Sequence, residues 1–333
     1  MSQILVTGTA GFIGSHLAER LLKEGHTVIG VDNFVTGSRS NVERLEKIAG
    51  NQDGSSGLRF TFHEFDVSDS GIVEFLKSSV DGGFDQIYHL ACPASPIDFK
   101  DLGIEILETC AKGTMHMLDL AAHTGARFLY TSTSEVYGDP LEHPQTESYL
   151  GNVSTLGPRS CYDEGKRFSE SYIVHYSNKH NVDFRIARIF NTYGPYMRKD
   201  DGRVIPNFIE QVNAGNPLTI YGDGSQTRSF CYVEDMVRGL MLLMNYEKFD
   251  QNDENDAIER VFNLGNPHEI SILELAETLV GLVGGELRTT TCDLPKDDPK
   301  KRCPNIERAQ KLLGFTPQVD LQSGLARTLE LWN

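Results

Sequence analysis

A chain of 333 residues with 39% hydrophobic content can bury a large core and exceeds the roughly 100–200 residues usual for one domain. Its formal charge of −16 excludes a general binder of nucleic acid or anionic lipid, because repulsion would act at every angle of approach; an anionic ligand has to be held by a few local arginines. With no basic leader and no apolar run of about 18 residues, the expectation is a cytoplasmic protein without membrane contact.

In chain order, the apolar run at 4–8 reads as a strand and the amphipathic stretch 12–25 as a helix; a second strand follows at 27–32. Further strands are expected within 58–67, 85–91, 126–134 and 184–190, with helices between them. Short buried strands alternating with helices predict an α/β fold, a Rossmann-type doubly wound parallel sheet. The polar stretches 49–57 and 249–259 read as solvated loops. After Asn191 the alternation weakens and Pro and Gly punctuate it, so residues 1–190 are expected to form a dinucleotide-binding domain. Residues 191–333 are expected to form mainly a smaller lobe, including a helix within 270–284, with some chain returning to the first domain. The six cysteines, Cys92, Cys110, Cys161, Cys231, Cys292 and Cys303, show no CxxC spacing, which implies reduced thiols and no metal centre.

Between the first strand and first helix stand Gly8, Gly11 and Gly14. Glycines at this junction allow a tight turn, close approach of a pyrophosphate and close helix packing, while the helix start offers amide donors. Asp32 ends the second strand eighteen positions after Gly14, where a carboxylate accepts hydrogen bonds from an adenosine ribose and repels a 2'-phosphate. The cofactor is therefore expected to be NAD rather than NADP. Asp66 and Val67 close the third strand and are placed near the adenine.

Tyr162 and Lys166 are four apart on one predicted helix face. An ammonium close to a phenol favours the phenolate, and an oxidised nicotinamide adds positive charge nearby, so Tyr162 is expected to act as a general base. Thr133, Ser134 and Glu135 follow a strand at its C-terminal end, where ligands bind in such sheets; the alternative reading is that Thr133 and Ser134 cap a turn.

The stretches HLACPASP (89–96), TSTSEVYGDPLEHPQTE (131–147), GPRSCYDEGKR (157–167), RIARIFNTYGP (185–195), DGRV (201–204) and YGDGSQTRSF (221–230) together resemble the extended short-chain dehydrogenase/reductases. More narrowly they resemble the UDP-glucuronic acid decarboxylases, over nearly the whole chain. The resemblance implies that Tyr162 removes the C4 hydroxyl proton while NAD takes the C4 hydride, with Thr133 bonded to the C4 oxygen. The resulting 4-keto uronate loses CO2 to an enolate, is protonated at C5 and is reduced again at C4, giving UDP-xylose. It further implies that Glu135 and Arg302 orient the sugar and assist decarboxylation and protonation, with Ser134 beside them. Phe12, Ile13, Asn33, Phe34, Thr36, Leu90, Ala91, Thr109 and Thr192 join the cofactor site, where Lys166 also bonds the nicotinamide ribose. Pro93, Ser95, Asn191, Val204, Tyr221, Gln226 and Arg228 join the UDP-sugar site, and Arg203 approaches both ligands.

Nucleotide-sugar 4,6-dehydratases carry an acidic residue where Ser134 stands, and a hydroxyl cannot protonate a leaving hydroxide. A 4-epimerase remains the alternative activity, and a non-catalytic NAD sensor a more remote one. Two positions depart from the pattern: Phe99 replaces a tyrosine and Cys110 an asparagine. The resemblance also implies a homodimer formed through helices near 104–124 and 161–180.

Overall fold

The computed structural model describes residues 1–50, 59–80, 82–249, 257–293 and 301–332. Six strands, β1 (Gln3–Thr7), β2 (Thr27–Asp32), β3 (Phe60–Glu64), β4 (Gln86–His89), β5 (Arg127–Thr133) and β6 (Phe184–Ile189), coincide with the predicted apolar runs. They pair in parallel in the order β6-β5-β4-β1-β2-β3. A seventh strand, Val261–Leu264, pairs in parallel along β6; the sequence reading had assigned no strand there.

Helices cover both faces, as a sheet buried on both sides requires. On one face the first helix, α1 (Phe12–Lys23), packs against the helices Arg39–Gly50 and Val233–Met244; on the other the helices Ile72–Ser79, Thr114–Thr124 and Ser160–His180 pack together. Leu17, Leu21 and Leu22 of α1 are fully buried, each contributing about 1.5–3 kcal/mol of apolar transfer. The long segment before β5 runs Gly103–Glu108, then a widened π turn at Thr109–Gly113, then Thr114–Thr124.

Among the described residues the smaller part contains three short strand pairs: Leu218–Tyr221 with Thr289–Cys292, Thr227–Ser229 with Glu269–Ser271, and Thr192–Tyr193 with Cys231–Tyr232. It also carries the helices Val204–Asn213, Ile272–Val283 and Leu321–Glu330. The loop expectations need correction at their edges. Ala49 and Gly50 complete the helix Arg39–Gly50, Phe249 packs edge-on to Tyr246 at 4.8 Å, and Ala257–Arg260 forms a helical turn. Hydrophobic Phe249 and helical propensity outweighed the polar composition there; residues 51–57 and 250–256 of those loops lie outside the described residues.

Candidate active site

The sheet order reverses at β1, which lies between β2 and β4, and the crevice at such a switch point is where open α/β sheets bind ligands. A cavity of about 800 Å³ opens there. Gly8 is left-handed, with φ +75, and a Cβ on it would lie 2.9 Å from the Ala91 amide nitrogen. A Cβ on Gly14 would lie 2.0 Å from the Gly8 carbonyl oxygen, so no other residue fits. The first turn of α1 has no side-chain cap and no acidic residue, which leaves its amides facing the cavity with a positive dipole end. This cradle fits a pyrophosphate.

At the end of β2, Asp32 Oδ2 accepts the Ala10 amide at 3.0 Å and Oδ1 the Phe34 amide at 2.9 Å. Burial pushes this carboxyl above the ordinary aspartate range against the pull of those amides. Gly37 is required beside it, since a Cβ there would meet Asp32 Oδ1 at 2.7 Å. Asn33 donates to Asp66 Oδ2 at 2.8 Å, and Ser68 donates to Asp66 Oδ1 from both its amide and its hydroxyl. Burial alone would raise the Asp66 pKa, but the Ser68 and Asn33 bonds outweigh it and hold this carboxyl below its usual range. Arg39, a cation at the same rim, is drawn to Glu64 at 2.9 Å and lies 4.2 Å over the Phe34 ring.

The chemical groups stand on the far side of the switch point. Tyr162 and Lys166 lie on the helix Ser160–His180 and are both buried. Lys166 Nζ donates to the Thr131 carbonyl at 2.9 Å and lies 5.8 Å from the Tyr162 ring centre. Burial drives the Tyr162 phenol well above the usual tyrosine range; a bond with the Thr133 hydroxyl and the charge of Arg203 offset part of that rise. Burial thus works against the pull of Lys166 on the phenol, which the sequence reading counted together with the charge of an oxidised nicotinamide. Phe99 stacks on the Tyr162 ring at 5.2 Å and 17°, a contact that needs no phenolic hydroxyl at position 99. Thr133 Oγ1 accepts the Glu135 amide at 3.2 Å, capping the helical turn Ser134–Tyr137, so the capping role and a place in the cavity wall coexist.

Glu135 is buried and takes both guanidinium nitrogens of Arg302, with Nη2 at 2.8 Å. A second cation, Arg159, reaches its Oε2 at 2.5 Å. Burial alone would raise this carboxyl, but Arg302 and Arg159 hold it below its usual range. Nearby, burial and the charge of Glu135 push Asp163 up to about 7.

Of the expected site residues, all except Phe34, Val204, Tyr221, Gln226, Arg228 and Arg302 line this cavity among the described residues. The Phe34 ring turns onto Phe62 at 5.2 Å and only its amide serves the site. Val204 opens the helix Val204–Asn213, Gln226 donates to the Tyr221 carbonyl at 2.9 Å, and Arg228 donates to the Thr227 carbonyl at 2.8 Å. Arg203 donates to Asp201 at 3.0 Å and to the Ala94 carbonyl at 2.6 Å, while the Ser95 hydroxyl is spent on the Asp201 carbonyl. The reading missed Arg159, Leu331 and Trp332, which also line the cavity. Arg159 sat in plain view in GPRSCYDEGKR, three residues before Tyr162. For the two residues near the C-terminus no local signal existed. The six cysteines are free thiols, with Cys92 and Cys110 sulfurs 3.6 Å apart, and no group of residues suited to a metal ion occurs among the described residues.

The switch-point cradle, the acidic residue ending β2 and the Thr133–Tyr162–Lys166 set facing one cavity define an extended short-chain dehydrogenase/reductase. A family model described as GDP-mannose 4,6 dehydratase matches residues 5–328. The chain is 49% identical to UDP-glucuronic acid decarboxylase 6 of Arabidopsis thaliana, covering 97% of this chain and 86% of that protein. It is 45% identical to UDP-glucuronic acid decarboxylase 1 of Danio rerio, covering 99% and 72%. The chain belongs to the UDP-glucuronic acid decarboxylase family. Among solved structures, the UDP-glucuronic acid 4-epimerase of Bacillus cereus, in complex with UDP-glucuronic acid and NAD, superposes with TM-score 0.84 at 29% identity, covering 99% and 98% of the two chains. The UDP-glucose 4-epimerase of Thermotoga maritima, with UDP-glucose, does so at 0.84 and 27%, with the same coverage.

Proposed function

We propose that this protein converts UDP-glucuronic acid to UDP-xylose and CO2, with NAD reduced and reoxidised within each turnover. The observation that carries the reading is Glu135, clamped by arginines beside Thr133 and Tyr162, in a chain 45–49% identical to proteins named UDP-glucuronic acid decarboxylase.

Gly8, Gly11, Gly14 and the first-turn amides would hold the NAD pyrophosphate, Asp32 the adenosine ribose, Asp66 and Val67 the adenine, and Lys166 the nicotinamide ribose. When bound, NAD+ supplies reversible acceptance of the C4 hydride, so no outside reductant enters the cycle. A buried phenol resists ionisation, so Tyr162 becomes a base only when added positive charge joins Lys166; proton removal is thereby tied to cofactor occupancy. Thr133 holds the C4 oxygen. Once C4 is a ketone, the C5–C6 bond breaks, its electron pair moves into the C4 enolate, and Tyr162 and Thr133 donate to that oxygen. Glu135, held as an anion, orients the sugar as an acceptor rather than delivering its own proton at neutral pH, and a solvent proton completes C5.

Residues 1–190 serve the cofactor, while residues beyond 190 mainly bind the nucleotide sugar. On this reading Tyr221, Gln226 and Arg228 contact the uridine diphosphate end, and Asn191, Arg203 and Val204 the region between the ligands. A homodimer is supported by an aromatic ladder along the helix Ser160–His180, Phe168–Tyr172–Tyr176–His180, with successive ring centres 5.9, 5.7 and 4.3 Å apart. Phe168 of this ladder is exposed, as are Leu107 and Ile104 on the helix Gly103–Glu108 packed against it. No helix among the described residues is long and apolar enough to cross a membrane; a cytoplasmic place of action is part of the proposal.

Incubating the purified protein with UDP-glucuronic acid and NAD and following the products by NMR tests the reading. CO2 with UDP-xylose and no net reduced cofactor is the expected result. UDP-galacturonic acid without CO2 would make the protein an epimerase like its structural neighbours.

A further inference from the structure

We propose that Arg159 is the positioning residue of the decarboxylation step, holding Glu135 from the cavity side and tying it mechanically to the helix turn that presents Tyr162. The inference rests on the decarboxylase reading above.

Glu135 is gripped from two directions by residues far apart in sequence. Arg302 binds both of its oxygens but is not among the described residues lining the cavity, whereas Arg159 and Glu135 both are. Of the two cations on Glu135, the one in the cavity wall is thus Arg159. Its backbone opens the catalytic helix: the amides of Tyr162 and Asp163 both donate to the Arg159 carbonyl at 3.0 Å. Its guanidinium lies 5.6 Å over the Phe99 ring, which in turn stacks on Tyr162. One residue therefore fixes the distance between the carboxylate and the base.

Charge gives the arrangement its use. Around Glu135 stand Arg302 from the C-terminal segment, Arg159 and Asp163 from the catalytic helix with Glu164 beyond, and Tyr162 with Arg203 across the cavity. The two arginines against one glutamate leave a surplus of one positive charge. Asp163, buried with one carboxylate oxygen lacking a partner, cancels that surplus only when ionised. A uronate brings one negative charge, and after CO2 departs the enolate still carries one, so the surplus is matched before and after the bond breaks. Without Arg159, the Glu135–Arg302 pair is neutral and the sugar carboxylate faces an anion directly.

The test uses full-length protein with NAD, comparing wild type with Arg159→Gln and Arg159→Lys. Failure of the wild type to release CO2 would overturn the assigned reaction itself, separately from any role of Arg159. Given an active wild type, Arg159→Gln is expected to lower kcat for CO2 release by about 30-fold or more, with NAD affinity within about 2-fold because the cradle lies elsewhere. The acid limb of its kcat–pH profile should move up by about 1 pH unit, since Glu135 loses one of the charges that keep it ionised. An unmoved acid limb with kcat within about 3-fold of wild type overturns the proposal. Arg159→Lys keeps the charge but not the planar fork; it should leave the acid limb in place and lower kcat by about 3- to 10-fold, and wild-type kcat in that variant overturns the positioning role even if Arg159→Gln fails to fold.

Discussion

The two sides of the cavity are built by different means. The dinucleotide side is made of backbone: turn amides, a glycine too close to a carbonyl to carry a side chain, and one carboxylate at a strand end, all within residues 8–37. The chemical side is made of side chains converging from Thr133–Glu135, Arg159–Lys166 and Arg302, across 170 positions of sequence. A site of the first kind is written as a local pattern. One of the second kind exists only after the fold has closed.

That contrast predicts a double dissociation. The largest effect is expected for Tyr162→Phe, which removes the group proposed to take the C4 proton: turnover should fall by about 10²- to 10⁴-fold with NAD binding, read by calorimetry, largely unchanged. Near-normal turnover would dismiss Tyr162 as the base. Gly14→Ala should do the reverse. Its methyl would meet the Gly8 carbonyl at 2.0 Å, costing about 1–3 kcal/mol in a rearranged loop, so NAD affinity should fall by about 10-fold or more; unchanged affinity would show that the loop yields without disturbing the pyrophosphate site.

The smallest effect concerns the seam between the sides. His16, on α1, bonds the Pro195 carbonyl at 3.0 Å, and burial holds its pKa down to about 4; His89, fully buried 2.7 Å from the Thr7 hydroxyl, is held at about 3. Above the ordinary histidine value of about 6.5 neither state binds a proton and neither histidine contributes to the pH slope. As pH falls below it the unfolded chain takes up protons that the folded chain refuses. Stability should then drop by about 1.4 kcal/mol per pH unit for each histidine until the folded values are reached. Denaturant titrations at pH 7, 6 and 5 measure the slope, and His16→Gln, which keeps a donor for Pro195, should reduce it by one histidine's share.

Legibility followed the same division. All six predicted strands and the glycine cradle were readable because their periodicity and spacing are local. Tyr162 and Lys166 were readable because four positions on a helix make neighbours. The burial that opposes ionisation of Tyr162 was not, because no motif encodes it. Arg159 was overlooked although it stands within a recognised motif, because its role depends on a carboxylate 24 positions earlier. Tyr221, Gln226 and Arg228 lie outside the described cavity wall, and a match to a relative's motif does not by itself say which wall a side chain faces.

The strand Val261–Leu264 has a further consequence. It is translated after the whole stretch from Asn191, yet it zips along β6, and its Asn263 accepts the Tyr137 hydroxyl at 2.7 Å and donates to the Gln145 and Asn305 carbonyls. A gene cut at residue 190 would therefore yield a sheet with an open, apolar margin, a template for sticking to other copies of itself. The cofactor and sugar portions are braided rather than strung, so shuffling them as interchangeable cassettes between relatives would have to carry this returning strand along with the cofactor portion.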